Sequence, residues 1–208
     1  MVNKNLDSAL LEAISRFDAT ALVDLINQGA DPNIILPSKN PLLVEMCFNG
    51  TVELSKFILS KGADINAKNP LGQISLDGGV GKQDSEFVQF LLSKGANADN
   101  RYSNGLSTLA IAITTDNLEI TEMLLKAGAD PNAVYQETVD KDKKDFLKMA
   151  LKENWFKKPE VGMTLFVDEQ TAKDIVSGKT KTLKSSPLTI AKNNPAMVKL
   201  LKKYGAKS

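Results

Sequence analysis

Apolar residues fall along this chain in short clusters spaced by three and four positions, the interval that gathers side chains on one face of a helix. The clearest are Ala21-Leu22-Leu25-Ile26, Leu54-Phe57-Ile58, Phe87-Val88-Leu91-Leu92, Ile120-Leu124-Leu125 and Val198-Leu200-Leu201. Ahead of each lies a second short apolar segment, at residues 8–17, 41–49, 74–82, 107–115 and 186–193. The pattern therefore predicts five pairs of short helices. A turn signal closes the first four pairs: Gly29-Ala30-Asp31-Pro32-Asn33, Gly62-Ala63-Asp64-Ile65-Asn66, Gly95-Ala96-Asn97-Ala98-Asp99 and Gly128-Ala129-Asp130-Pro131-Asn132. Its Gly takes the left-handed conformation that stops a helix, and its Asp or Asn bonds nearby backbone as the chain turns.

The phrases repeat with a fixed period, since 62 − 29, 95 − 62 and 128 − 95 are each 33. A shortened copy, Gly205-Ala206, stands near the end. Two short helices cannot bury their apolar faces alone, so neighbouring pairs must stack. Each first helix opens on a phrase that keeps one leucine: Ser8-Ala9-Leu10-Leu11, Pro41-Leu42-Leu43-Val44, Ile74-Ser75-Leu76-Asp77, Ser107-Thr108-Leu109-Ala110 and Ser186-Pro187-Leu188-Thr189. Period, helix-turn-helix unit and closing phrase together resemble ankyrin repeats, whose Thr-Pro-Leu-His opening is reduced here to its Leu. The resemblance implies an all-α solenoid. Its expected parts are a capping repeat at 1–34, repeats at 35–67, 68–100 and 101–135, an insertion at 136–184 and a second cap at 185–208.

Two places depart from the pattern. The third first helix carries Asp77-Gly78-Gly79-Val80-Gly81-Lys82. Each glycine costs about 1 kcal/mol against Ala in a helix interior, so a frayed or unwound helix is expected there. A phosphate-binding loop is not, because the Gly-to-Gly-Lys spacing is wrong and Gln83 stands where Ser or Thr would hold magnesium. Within the insertion, Lys144-Asp145-Phe146-Leu147-Lys148-Met149-Ala150-Leu151 predicts a helix and Met163-Thr164-Leu165-Phe166-Val167 a strand. A further helix is expected over 168–176, ending at Ser177-Gly178.

Composition narrows the chemistry. The 208 residues are 42% hydrophobic and 25% charged, as in globular proteins, and the net charge of +1 gives no general attraction to nucleic acid. No apolar run reaches membrane-spanning length and the start lacks a secretory leader, so a cytoplasmic monomer is expected, or one delivered into a host cell. Histidine is absent, which removes Ser-His-Asp and Cys-His catalysis and the commonest metal ligand. The lone Cys47 reads as a small buried side chain. No cofactor, metal or catalytic residue is expected.

In ankyrin-like stacks the turn tips and the exposed sides of the first helices line the surface offered to partners. Carried through the period, that surface holds Ile35, Leu36, Lys68, Asn69, Arg101, Tyr102, Val134 and Tyr135 at the tips, with Phe48 and Thr115 on first helices. Trp155 and Phe156 join them from the insertion. Apolar and aromatic residues on tips suit an interface better than a solvated turn. The function expected is a non-catalytic protein-protein interaction module that binds a partner through this groove and the insertion. Its setting would be a bacterial effector, a scaffold or a toxin-neutralising immunity protein. The alternative is an enzyme with its chemistry in the insertion, where Asp168, Glu169 and Asp174 would supply acid-base groups.

Overall fold

The computed structural model describes residues 4–153 and 169–207. It falls into two compact units, Met1–Asn100 and Arg101–Ser208. Both are built mainly of short helices, as an all-α repeat fold requires.

In the first unit three helix pairs follow one another: α1 (Lys4–Ser15) with α2 (Ala19–Asn27), α3 (Leu42–Asn49) with α4 (Val52–Ser60), and α5 (Ser75–Gly81) with α6 (Ser85–Ser93). Each second helix starts on a side chain that accepts a bond from its third residue: Asp18 from Ala21 N, Thr51 from Leu54 N and Asp84 from Phe87 N. These caps satisfy backbone donors that a helix start leaves open. Leu10, Leu22, Leu43, Ile58, Leu76 and Leu91 fill the interior, all of them from the apolar clusters.

The glycine-rich helix is formed, contrary to the expectation of fraying. Ser75 through Val80 are all buried, and α5 packs on α3. A methyl group on Gly78 would lie 2.7 Å from the carbonyl carbon and oxygen of Cys47, and one on Gly79 would crowd Leu91 and Val88 at 3.3 Å. The missing side chains are what let one backbone lie against the next, and the packing gained offsets the propensity lost. Asp77, in the place of the family's His, is buried and accepts from Ile74 N at 2.8 Å and from Asn100 Nδ2 at 3.0 Å. Asn100 also donates to Gly72 O at 3.0 Å, so this pair fastens α5 to the turns on either side.

Successive pairs are joined at their closing phrases by asparagine. Asn33 Nδ2 donates to Gly62 O (3.1 Å) while Asn33 Oδ1 accepts from Asp64 N (2.7 Å). Asn66 makes the same two bonds to Gly95 O (3.1 Å) and Asn97 N (2.8 Å).

The second unit contains α7 (Thr108–Thr114) and α8 (Leu118–Lys126), then β1 (Tyr135–Thr138), α9 (Lys141–Lys152), α10 (Glu169–Ser177), β2 (Thr182–Ser185), α11 (Pro187–Ile190) and α12 (Pro195–Lys203). The two strands pair antiparallel, with Tyr135 opposite Ser185 and Gln136 opposite Lys184. This ribbon was not foreseen from the sequence. Helix α9 extends the expected 144–151 at both ends, α10 runs one residue past the expected 176, and Gly178 follows it at φ 84°. The strand expected at 163–167 lies outside the described residues. α11 is one turn rather than the expected 186–193, because Asn193 and Asn194 favour a turn and Pro195 keeps Asn194 out of the helical region. Asn132 repeats the asparagine bridge, donating to Gly205 O (3.1 Å) and accepting from Lys207 N (2.7 Å).

Two outcomes test this packing. Gly78→Ala should lower the denaturant midpoint of the full chain by an amount equivalent to about 1–3 kcal/mol, whereas Gly81→Ala, whose added methyl meets nothing within 4 Å, should leave it unchanged or raise it slightly. Burial pushes the Cys47 thiol up from 9.0 to about 11, against smaller opposing effects of a hydrogen bond to Ser55 and the charge of Lys82. The unfolded chain then loses this proton before the folded one. Stability contributed below pH 9 is therefore lost between pH 9 and about 11, by roughly 2–3 kcal/mol. Urea titrations across that window should show this extra loss in the wild type and not in Cys47→Ala.

Candidate protein-binding site

The tips between helix pairs share one turn. In the first unit Lys39 N donates to Leu36 O (2.8 Å) and Leu36 N to Asn40 O (2.9 Å), and the next tip repeats this with Gly72 N to Asn69 O (2.8 Å) and Asn69 N to Gln73 O (3.0 Å). In the second unit Gly105 N donates to Tyr102 O (2.9 Å) and Tyr102 N to Leu106 O (2.8 Å). Each turn passes through the left-handed region at Lys39 (φ 68°), Gly72 (80°) or Gly105 (85°).

The chain entering the tips at Ile35 and Arg101 is extended, with bridges Ile35↔Pro41 and Arg101↔Ser107, so successive side chains there point to opposite sides. That alternation corrects the expected contact surface, which took both residues of every pair. Ile35 is 54% exposed and Lys68 is exposed, while Leu36 is only 5% exposed. Asn69 is buried beneath its own turn, where Oδ1 accepts from Leu71 N and Gln73 N, both at 3.0 Å, and Nδ2 donates to Gln73 Oε1 at 2.9 Å. In the second unit Arg101 is half-buried and paired with Asp130 at 3.2 Å, and Val134 is exposed. Tyr102 packs inward and Tyr135 is 5% exposed, its hydroxyl bonded to Glu137. Leu36, Asn69 and Tyr135 are therefore packing residues. On the first helices, Phe48 is half-buried, and Thr115 is half-buried with its hydroxyl donating to Ala112 O at 3.0 Å. Trp155 and Phe156 lie outside the described residues.

Leu71, 61% exposed, was missed. Its signal was present: in Asn69-Pro70-Leu71-Gly72 an apolar residue stands inside a turn that solvation alone would make polar.

In the second unit the ribbon and its two helices bury their own apolar side. Leu147 and Ala150 of α9 and Ala172 and Ile175 of α10 are buried. Leu147, Ala172 and Ile175 join Leu106, Ala110 and Tyr135 in one cluster, with Tyr102 and Ile111 packed against it. Leu106 of the tip and Ala110 of the first helix are thus covered from within the same unit. Glu137 also contacts the Lys143 ammonium. Burial, then the charge of Asp140, pushes the Glu137 carboxyl up, and burial pulls Lys143 down. On α10, Glu169 pairs with Lys173 (2.8 Å) and Asp174 with Lys179 (3.4 Å), so both candidate acid-base carboxylates hold surface ion pairs. Asp168 lies outside the described residues. Among the described residues no group of three or more Cys, Asp or Glu is placed to hold a metal ion, and no helix is long and apolar enough to cross a membrane. Glu122 fastens α8 to the last helix pair, accepting from Lys203 Nζ (2.8 Å) and Tyr204 Oη (3.1 Å), bonds that hold its carboxyl below the usual range and the Lys203 ammonium above it.

Paired short helices, left-handed stops, identical tips and asparagine bridges define a helical-hairpin repeat protein. Residues 43–135 match the family model of ankyrin repeats, in three copies. No curated protein matches it. Domains of this family generally mediate protein-protein interaction and are typically non-catalytic.

The shared turn predicts a stabilising change. Lys39 occupies the left-handed position that neighbouring tips give to glycine, so Lys39→Gly should raise the unfolding midpoint by about 0.5–1 kcal/mol in urea titrations.

Proposed function

We propose that this protein is a non-catalytic adaptor that binds one partner protein through its ankyrin tips, working in the cytoplasm of its own cell or of a host as a scaffold, effector or toxin-neutralising immunity protein. In this reading the chain comprises five ankyrin units, at 1–34, 35–67, 68–100, 101–135 and 185–208. Residues 136–184 are an insertion grown from the fourth tip. Two features support it. The Asn132 bridge uses the same atoms as those of Asn33 and Asn66, although its ends are 73 residues apart instead of 29. The ladder pair Gln136↔Lys184 also stands where the other tips turn back.

The observation that carries the binding role is the row of outward tip positions in the first unit. Ile35 and Leu71 expose more than half of their apolar surface beside Lys68, in turns whose hydrogen bonds are made by backbone and by inward side chains. Exposed aliphatic side chains gain by being covered on binding. In the second unit, taken by itself, Val134 is an exposed apolar residue.

An Ile35→Glu, Leu71→Glu double variant tests this by quantitative affinity purification from the native host beside the wild type. The variant should keep its unfolding midpoint within about 0.5 kcal/mol, since both sites are exposed, and lose the wild type's specific partner by about tenfold or more. A partner retained equally by both proteins would sink the proposal.

A further inference from the structure

The turn between the two helices of a pair recurs at positions 17, 50, 83 and 116. Three of these residues are left-handed without being glycine: Phe17 (φ 57°), Gln83 (56°) and Asp116 (58°). The same bonds close all three turns, as where Phe17 N donates to Ile14 O (3.0 Å) and Asp18 N to Ala13 O (2.9 Å). The backbone thus asks nothing of the side chain at 17, and polar residues serve the equivalent places. A bulky aromatic in the left-handed region is strained, and this one is 92% exposed.

Beside Phe17 is a cleft of about 390 Å³ between the first and second helix pairs. Its walls are apolar, formed by Leu11, Ile14, Leu22, Leu36, Met46 and Leu54. Among the described residues, the charged ones that line it are both acids, Asp18 and Glu45, and no lysine or arginine does. Asp18 caps α2, and Glu45 accepts from Asn40 Nδ2 (2.6 Å) and Asn49 Nδ2 (2.7 Å). Each carboxylate is therefore fixed in place by neutral donors.

We propose that this cleft is the docking site for a basic amphipathic segment of the partner protein, whose aliphatic side chains enter between α1 and α3 while its arginines or lysines meet Asp18, Glu45 and the face of Phe17. The size is that of a site for a few side chains, and the charge is complementary to a cation and hostile to an anion. The chain's net charge of +1 gives no general attraction for a basic peptide, so selection for one has to come from this local pair of acids. The inference rests on the protein-binding reading and supplies the partner's chemistry.

The test is a titration of the isotope-labelled full chain with a synthetic peptide of about 14 residues, leucines at helical spacing and arginines elsewhere. Two controls carry Glu for Arg and Ser for Leu. The Arg/Leu peptide should bind saturably, shifting the amides of Ile14, Phe17 and Met46, and both controls should bind at least about tenfold more weakly. Asp18→Asn with Glu45→Gln keeps the cap and the hydrogen-bond acceptors while removing both charges, and should weaken binding by about fivefold or more. Phe17→Gln copies the residue at 83, so it should weaken binding about tenfold without lowering the unfolding midpoint. Ile35→Glu should leave the peptide's affinity unchanged, which separates failure at the cleft from failure at the tips. Absence of saturable binding, equal affinity for the Glu/Leu or Arg/Ser peptide, or affinity indifferent to these cleft variants would overturn the proposal.

Discussion

The short helix pairs of the first unit cannot shelter their own apolar sides, and the rest of its architecture follows from that shortage. Helices of seven to nine residues such as α5, α6 and α8 are below the length that holds together in water. They persist because a neighbour covers them, and the neighbour must arrive in register. The asparagine of the closing phrase sets that register with a donor and an acceptor on one amide, which reads a carbonyl and an N–H of the next turn together. An aspartate there, as at Asp99, has no N–H to give the carbonyl. This is why so short a phrase carries so much of the architecture.

The period and the helix pairs were legible because they depend on neighbours three, four and 33 positions away. What was misread depends on contacts that spacing does not encode. Gly78 looks costly when weighed within α5 alone, but its value lies in the distance to Cys47. The tips were half legible: the period located them, yet only the extended backbone around Ile35 and Arg101 determines which residue of each pair faces outward. Strands β1 and β2 are four residues each and are defined by partners far apart in sequence, so no local pattern could announce them. Phe17 was visible as a residue and invisible as a site, since its meaning comes from the turn it occupies.

The two units dispose of their tip surfaces differently. In the first, Ile35 and Leu71 are left to solvent on turns that do not need them. In the second, Leu106 is buried in one cluster with residues of α9 and α10, and Tyr102 and Ile111 pack half-buried against it.

The ribbon from Tyr135 to Ser185 has a further meaning for how such a chain can grow. Replacing a five-residue turn with a span about ten times longer adds only about 2 kcal/mol of loop-closure entropy, because that penalty rises with the logarithm of length. The strands hold the two ends of the span together, and α9 and α10 recover the deficit in a core shared with Leu106, Ala110 and Tyr135. On the proposed reading of residues 136–184 as an insertion, a tip is a graft point. New sequence can be spliced there while the bridge from Asn132 to Gly205 still forms, so the repeat array tolerates novelty at its margins without renegotiating its interior.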